Sequence, residues 1–294
     1  MIDTLGATLR HNLEARNGML VPGAANALAA RVIEDLGFDA VYISGAGVAN
    51  TYLGVPDIGL VGLAEMVQHT QVIRDACDLP LIVDADTGYG NALNVRHAVR
   101  SLERAGANAI QLEDQVMPKK CGHFAGKAVV ETAEMLGKIK AAVDARHSRD
   151  FLIIARTDAR AIHGLDAALE RAAAFAAAGA DLTFVEAPES PDELARIARE
   201  LQCPQVANMV IGGRTPALPA KELGELGFGM VLYANAALQA ALQGMIQALS
   251  VLRNEGILSE SSHLIASFQE RQRIVRKDEF DAMEDRYATG SPPA

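Results

Sequence analysis

Tryptophan is missing from this chain, aromatic residues make up only 4%, and cysteine occurs three times, at Cys77, Cys121 and Cys203. Cysteines so few and so scattered form neither a disulfide framework nor a Cys-x-x-Cys, which points to a reducing, cytoplasmic setting. Positive charge is also short: 27 Lys and Arg stand against 37 Asp and Glu, a net charge of -10. That balance speaks against nucleic-acid or anionic-membrane partners, both of which select basic patches, although a local basic pocket could still take an acidic metabolite. No apolar run approaches membrane-spanning length without a charge or turn residue. The first residues, Met-Ile-Asp-Thr-Leu-Gly, lack the basic and apolar stretches of a signal peptide.

Apolar residues, by contrast, make up half of the 294 positions. That is enough for one large α/β barrel with an appendage, or for two modest domains. Four stretches share one shape: an Ala- or Leu-rich helical pattern, a glycine, then a strand-like run. Gly37 precedes Ala40–Ile43, Gly106 precedes Ala109–Leu112, Gly179 precedes Leu182–Val185, and Gly227 precedes Met230–Tyr233. Each glycine stands where a helix end needs φ > 0. Further apolar runs at Met19–Val21, Leu81–Val83, Phe151–Ala155 and Val206–Asn208 bring the strand candidates to eight. Helical patterns at Ala24–Leu36, Gly62–Ala76, Ala92–Arg104, Val129–Arg146, Asp166–Ala178 and Pro191–Leu201 separate them. Strict alternation implies parallel pairing through right-handed crossovers, and eight units favour a closed (β/α)₈ TIM barrel. An open doubly wound sheet is the rival. It would carry Gly-x-Gly-x-x-Gly after its first strand, and Pro22-Gly23-Ala24-Ala25-Asn26 is not that motif. We expect the barrel over residues 1–255 and a helical appendage over 256–294, with helices near Ser262–Arg273 and Lys277–Tyr287. A barrel does not need those helices, so they are expected to pack on another subunit or over the barrel mouth.

Barrel enzymes work at the C-terminal ends of their strands. Read outward, the third strand ends in Asp84 and Asp86, the fourth in Glu113 and Asp114, and the fifth in Arg156-Thr157-Asp158. The sixth ends in Glu186, the seventh in Asn208, and the eighth in Tyr233 and Asn235. Asp84 and Asp86 alternate along one strand and so share a face. Glu113 stands on the next strand, and Asp57 can arrive from the loop after the second. This oxygen-only set suits Mg²⁺, or Mn²⁺ in its place. Taken singly, these acids could instead cap helices or pair with Arg. Arg156 offers a fork for a carboxylate, or a structural salt bridge to Glu186 or Asp158.

The loop Pro118-Lys119-Lys120-Cys121-Gly122-His123 is too polar for a core. Its lysines and His123 ease ionisation of the Cys121 thiol, which suits a general acid for a carbanion; a nucleophilic role stays open. Lys119 and Lys120 sit in a polar loop, which favours electrostatic roles over a Schiff base.

Asp84-Ala85-Asp86-Thr87-Gly88-Tyr89-Gly90, Glu113-Asp114-Gln115 and Lys119-Lys120-Cys121-Gly122-His123, in this order, resemble the isocitrate lyase/phosphoenolpyruvate mutase superfamily. The likeness runs from Pro22 past Leu232 and takes in Tyr42-Ile43-Ser44-Gly45, Ala155–Ala159, Val185–Ala187 and Asn208-Met209. The cysteine loop marks the carbon–carbon lyase branch, as in 2-methylisocitrate lyase, 2,3-dimethylmalate lyase and petal death protein. The resemblance implies Mg²⁺-dependent retro-Claisen/aldol cleavage of a 2-hydroxy acid. The metal would sit at Asp84 and Asp86, with Asp57 and Glu113 acting through water. Ser44, Gly45 and Ala46 would hold the α-oxyacid fragment, and Arg156 a carboxylate. Tyr42, Gly122, Glu186 and Asn208 complete the candidate substrate contacts. Cys121 would protonate the enolate-like product, with Lys119, Lys120 and His123 beside it. The resemblance also implies a homotetramer with an exchanged C-terminal helix.

Two departures bear on substrate. Val210 follows Asn208-Met209 where tricarboxylate-cleaving members carry Thr, and Gln239 stands where they carry Arg. Losing a hydroxyl and a guanidinium removes partners for an extra carboxylate, so a 2-alkylmalate is expected over methylisocitrate. The alternatives are an oxaloacetate decarboxylase or hydrolase, a carboxyphosphonoenolpyruvate mutase-type enzyme, and an inactive barrel serving as a binding protein.

Overall fold

The computed structural model describes residues 2–119 and 126–288. In chain order the first half comprises α1 (Ile2–Glu14), β1 (Met19–Ala24), α2 (Ala27–Asp35), β2 (Val41–Ile43), α3 (Gly45–Val48), α4 (Leu63–Ala76), β3 (Leu81–Asp84), α5 (Ala92–Arg104) and β4 (Ala109–Glu113). Next come α6 (Thr132–Ala145), β5 (Leu152–Thr157), α7 (Arg160–His163), α8 (Leu165–Ala177), β6 (Leu182–Val185), α9 (Pro191–Glu200), β7 (Val206–Asn208), α10 (Ala220–Leu226) and β8 (Met230–Tyr233). α11 (Ala236–Glu255), α12 (Phe268–Ile274) and α13 (Lys277–Ala288) follow.

All eight strands pair in parallel, in the order β6-β5-β4-β3-β2-β1-β8-β7. A parallel bridge between Thr183 and Gln205 links β6 to β7 and brings the sheet round to a (β/α)₈ barrel. The four glycines of the repeat all take positive φ, between 77° and 106°. Gly23 answers a different demand: a Cβ there would lie 1.9 Å from the Ala234 carbonyl oxygen.

The side-chain period of two sorts each strand into inward and outward columns. Outward residues such as Val41, Ile43, Leu81, Val83, Ile110 and Leu112 pack with Ile33, Met66, Ile73, Val95, Val99 and Leu102 of the surrounding helices. Inward residues Val21, Tyr42, Ile82, Leu152, Ile154, Phe184, Met230 and Leu232 fill the barrel, and Leu9 and Leu13 of α1 join the same cluster.

Three expected helices are corrected. The one expected from Ala24 begins at Ala27, because Ala24 pairs with Ile43 and the Asn26 side chain caps the helix by accepting from the Ala29 N–H. The one expected from Val129 begins at Thr132. Val129 bridges Gln115 in antiparallel fashion and the Val130 N–H donates to the Asp114 carbonyl, so this stretch forms a two-stranded stem. The one expected over Ser262–Arg273 is interrupted: a 3₁₀ turn ends at Ser262, His263 takes φ 57°, and Ser267 caps a new start at Phe268. The chain divides into two compact units, one running through Ala237 and one from Leu238. No helix among the described residues is long and apolar enough to cross a membrane.

Candidate active site

The inward columns change character at one end. Ile82 is followed by Asp84, Gln111 by Glu113, Ile154 by Arg156, Phe184 by Glu186, and Val206 by Asn208. All five of these end residues lie at the C-terminal ends of their strands. Asp84, Glu113, Arg156 and Glu186 are buried. Strand alternation thus delivers these five to one mouth. Asp86, expected to alternate with Asp84 on the third strand, instead lies past the strand's end in a turn at φ 47°, and Asp57 and Lys119 arrive from loops.

One half of this mouth is acidic. The Asp86 N–H donates to Asp84 Oδ1, and the Gly45 N–H donates to Asp84 Oδ2 at 3.3 Å. Ser44 caps α3 by accepting from the Gly47 N–H, and its hydroxyl donates to Asn235 Oδ1. This joins the Ser44–Ala46 turn to the strand carrying Asp84. Burial and Asp84 push the Asp86 carboxyl up to about 7. Burial also raises Glu113 well above the usual carboxylate range, with Arg156 working against it. Glu113 Oε1 is buried with no hydrogen-bond partner among the described residues. These carboxylates hold more negative charge than their surroundings tolerate.

A cation already answers that field. Lys119, buried to 3% exposure, places Nζ 2.7 Å from Asp86 Oδ1 and in contact with Asp57 Oδ1. Burial works against the ammonium, yet Asp86, Asp84, Glu113 and Asp57 outweigh it and hold Lys119 well above its ordinary range. Among the described residues no three His, Cys, Asp or Glu close in as a ready-made cage. A site with one or two direct carboxylates and the rest reached through water is the form that suits Mg²⁺, which sheds its waters reluctantly.

The other half is centred on Arg156. Its guanidinium lies 3.0 Å from Glu113, 2.9 Å from Asp158 and 3.6 Å from Glu186, and over the Phe184 ring. The salt-bridge alternative for Arg156 is thus realised, with Glu113 added. Asn208 Nδ2 lies 3.4 Å from Glu186 Oε2. The Tyr42 hydroxyl donates to Gln111 Oε1, and burial together with Asp84 keeps that phenol protonated far above its ordinary range. The structure thus brings Tyr42, Ser44, Gly45, Asp57, Asp84, Asp86, Glu113, Lys119, Arg156, Glu186 and Asn208 to one mouth, with Ala46 in the same turn as Gly45. Lys120, Cys121, Gly122 and His123 lie outside the described residues.

Sequence reading missed several supports. Asp114 does not join the acidic half. It is fully buried and accepts from Thr157, from the Asp158 amide and from Arg171, whose fork also reaches Thr132 and the Val130 carbonyl. Lys127 pairs with Asp158. Lys138 is 4% exposed and reaches the Thr87 carbonyl. Lys138 had a visible signal, a lysine at a helix position where the 3.6-residue period calls for an apolar residue. Arg171 and Lys127 had none.

The sequence profile of the phosphoenolpyruvate phosphomutase family matches residues 9–253. The chain belongs to this family, the PEP mutase/isocitrate lyase superfamily. It is 45% identical to the 2,3-dimethylmalate lyase of Eubacterium barkeri over 97% of this chain and 98% of that one. It is 39% identical to the 2-methylisocitrate lyase of Shewanella oneidensis over 97% of each chain. Among solved structures, oxaloacetate acetylhydrolase in complex with 3,3-difluorooxalacetate superposes with a TM-score of 0.90 at 32% identity, covering 99% of both chains. Phosphonopyruvate hydrolase in complex with oxalate and Mg²⁺ superposes with a TM-score of 0.87 at 30% identity, covering 97% of this chain and 99% of that one.

Proposed function

We propose that this enzyme is a carbon–carbon lyase that splits a 2-hydroxy dicarboxylate of the 2-alkylmalate type into an α-keto acid and a carboxylic acid. The observation that carries the reading is the acidic half-mouth of buried Asp84, Asp86 and Glu113 with half-buried Asp57, an ammonium among its carboxylates, facing the Arg156 cluster. The donor set, all oxygen and short of positive charge, fits Mg²⁺ or Mn²⁺. Asp84 and Asp86 would hold the ion directly, and Asp57 and Glu113 through water. When bound, the ion neutralises charge that gathers on the α-oxyacid oxygens.

The chain's own groups supply the rest. The Ser44–Ala46 turn is fixed by Asp84 and Asn235, so its amides meet the α-oxyacid fragment without reorganising. Arg156 presents its remaining N–H groups to a substrate carboxylate, with Glu186 and Asn208 shaping the far wall and Tyr42 the floor. As the carbon–carbon bond breaks, the 2-hydroxyl passes its proton to a carboxylate of the acidic half and its carbon becomes the keto carbon. The electron pair passes to the carbon bearing the leaving carboxylate. Cys121 donates its proton there, with Lys119, Lys120 and His123 favouring that proton transfer and Gly122 contacting the substrate. Val210 and Gln239, poor partners for a third carboxylate, support the dicarboxylate. A second reading, hydrolysis or decarboxylation of oxaloacetate, is favoured by the likeness to oxaloacetate acetylhydrolase.

A panel of 2-alkylmalates, 2-methylisocitrate and oxaloacetate, assayed with and without Mg²⁺, tests the assignment. The expected result is metal-dependent release of an α-keto acid, fastest from an alkylmalate and abolished in Cys121→Ser. Near-normal turnover in that variant would remove Cys121 from its role, and preference for oxaloacetate would select the second reading. Leu242, Met245, Ile246, Leu249 and Leu252 expose an apolar face on α11. That face supports a homotetramer with exchanged helices, which sedimentation analysis would test. The scattered cysteines support a reducing cytoplasm.

A further inference from the structure

The buried residues of α6 are Met135, Lys138, Ile139, Ala142 and Ala145. Their spacing is that of an apolar helix stripe, and one member is a lysine. A lysine in such a stripe costs desolvation unless its ammonium finds a purpose-built partner. Here Nζ donates to the Thr87 carbonyl at 3.2 Å. The one carboxylate within salt-bridge range among the described residues, Glu134 at 3.5 Å, has a side chain 55% exposed to solvent. The ammonium is thus spent mainly on one backbone oxygen.

That oxygen sits in an unusual turn. Asp86 takes φ 47° and Tyr89 takes φ 60°, both in the left-handed region that few non-glycine residues occupy. The turn has bonds of its own, from the Gly88 N–H to the Ala85 carbonyl and from the Glu113 N–H to the Asp86 carbonyl. The Thr87 hydroxyl, buried beside them, has no hydrogen-bond partner among the described residues. An extra donor on the Thr87 carbonyl fixes the peptide that follows Thr87, and through it the turn that sets the direction of the Asp86 carboxylate.

We propose that Lys138 is a positioning residue. Through the Thr87 carbonyl it locks the Asp84–Gly90 turn in the conformation that aims Asp86 at the cation site. The inference rests on the metal reading of the acids for its consequence, though not for its geometry.

The test uses the full-length enzyme in two arms. Without metal, Lys138→Met should hasten hydrogen exchange at the Gly88 and Glu113 amides while leaving the other strand amides protected. In Mn²⁺ titrations followed by electron paramagnetic resonance, Lys138→Met should weaken binding by about 10- to 100-fold. Lys138→Arg, which still carries a long donor, should recover most of the loss. Should Lys138→Met fail to fold, Lys138→Gln, which ends short of Thr87, carries the same expectation. Wild-type exchange and wild-type Mn²⁺ affinity in a folded Met or Gln variant would overturn the proposal. So would an Arg variant as weak as the Met variant, since that pattern assigns Lys138 to packing alone. A wild-type enzyme that takes up no Mn²⁺ would sink the metal reading separately, and the exchange arm would still decide Lys138.

Discussion

At the N-terminal end of the barrel, Leu9 and Leu13 of α1 close the interior with fully buried apolar side chains. At the other end the same inward columns finish in Asp84, Glu113, Arg156 and Glu186, which are nearly as buried and mostly charged. One end lowers free energy by removing apolar surface from water; the other raises it by removing charge from water. The raised carboxyls of Asp86 and Glu113 are the trace of that cost. The contrast teaches where evolution placed stability and where it placed reactivity, and substitutions at the two ends should separate them.

The largest effect is expected from Asp84→Asn. It removes a charge from the acidic half and should lower kcat/KM by about 10³-fold or more. Thermal unfolding without metal should show a Tm equal to or above that of the parent, because one buried charge has gone. A variant that lost activity only in step with its fold would erase the contrast. Next comes Asp114→Ala. Although adjacent to Glu113, Asp114 belongs to the stabilising side of the comparison. Its loss strands the Arg171 guanidinium and should cost about 3–5 kcal/mol of stability. At the opposite end, Leu13→Ala should cost about 2–5 kcal/mol by leaving a cavity. Urea unfolding reads both. For Leu13→Ala, kcat/KM measured well below the unfolding transition should stay at the parent value.

The same contrast explains what could be read in advance. The barrel was legible because it rests on local signals: glycines at helix ends, apolar strands and a strict alternation. The mouth was legible because strand polarity converts a sequence position into a place at one rim. The supports were not legible, because they depend on which distant side chains meet. Residue type does not distinguish Glu113 from Asp114, yet one faces the barrel interior and the other faces Thr157 and Arg171. Strand alternation forces that split and could have been applied one residue further. Val129 and Val130, which pair with the Asp114–Val116 segment, join the helical pattern in sequence because valines fit either period. Lys138 shows the reverse: a residue that breaks a local rule marks a place where the fold needs something beyond packing.

The smallest effect is expected at the outer edge of the mouth, where charge is paired and partly wet. Arg160 forks onto Glu193 and reaches Glu189, which Arg214 also approaches. Burial pushes the Glu193 carboxyl up, but hydrogen bonds from Arg160 and from the Glu189 amide outweigh it and hold the group below its ordinary 4.5. A group whose folded pKa lies below its unfolded one stabilises the fold above the unfolded value. That contribution fades as pH falls through the folded value. Glu193→Gln should therefore lower stability at pH 7 by about 1 kcal/mol, because solvent reaches and screens part of the pair. The gap between parent and variant should close as pH drops below 4.5, where the parent's carboxylate takes up its proton. Urea titrations of both proteins between about pH 3 and pH 7 measure that gap directly. A gap that stays constant with pH would mean that Glu193 acts through shape and not charge. The outer rim would then belong with the apolar end of the barrel.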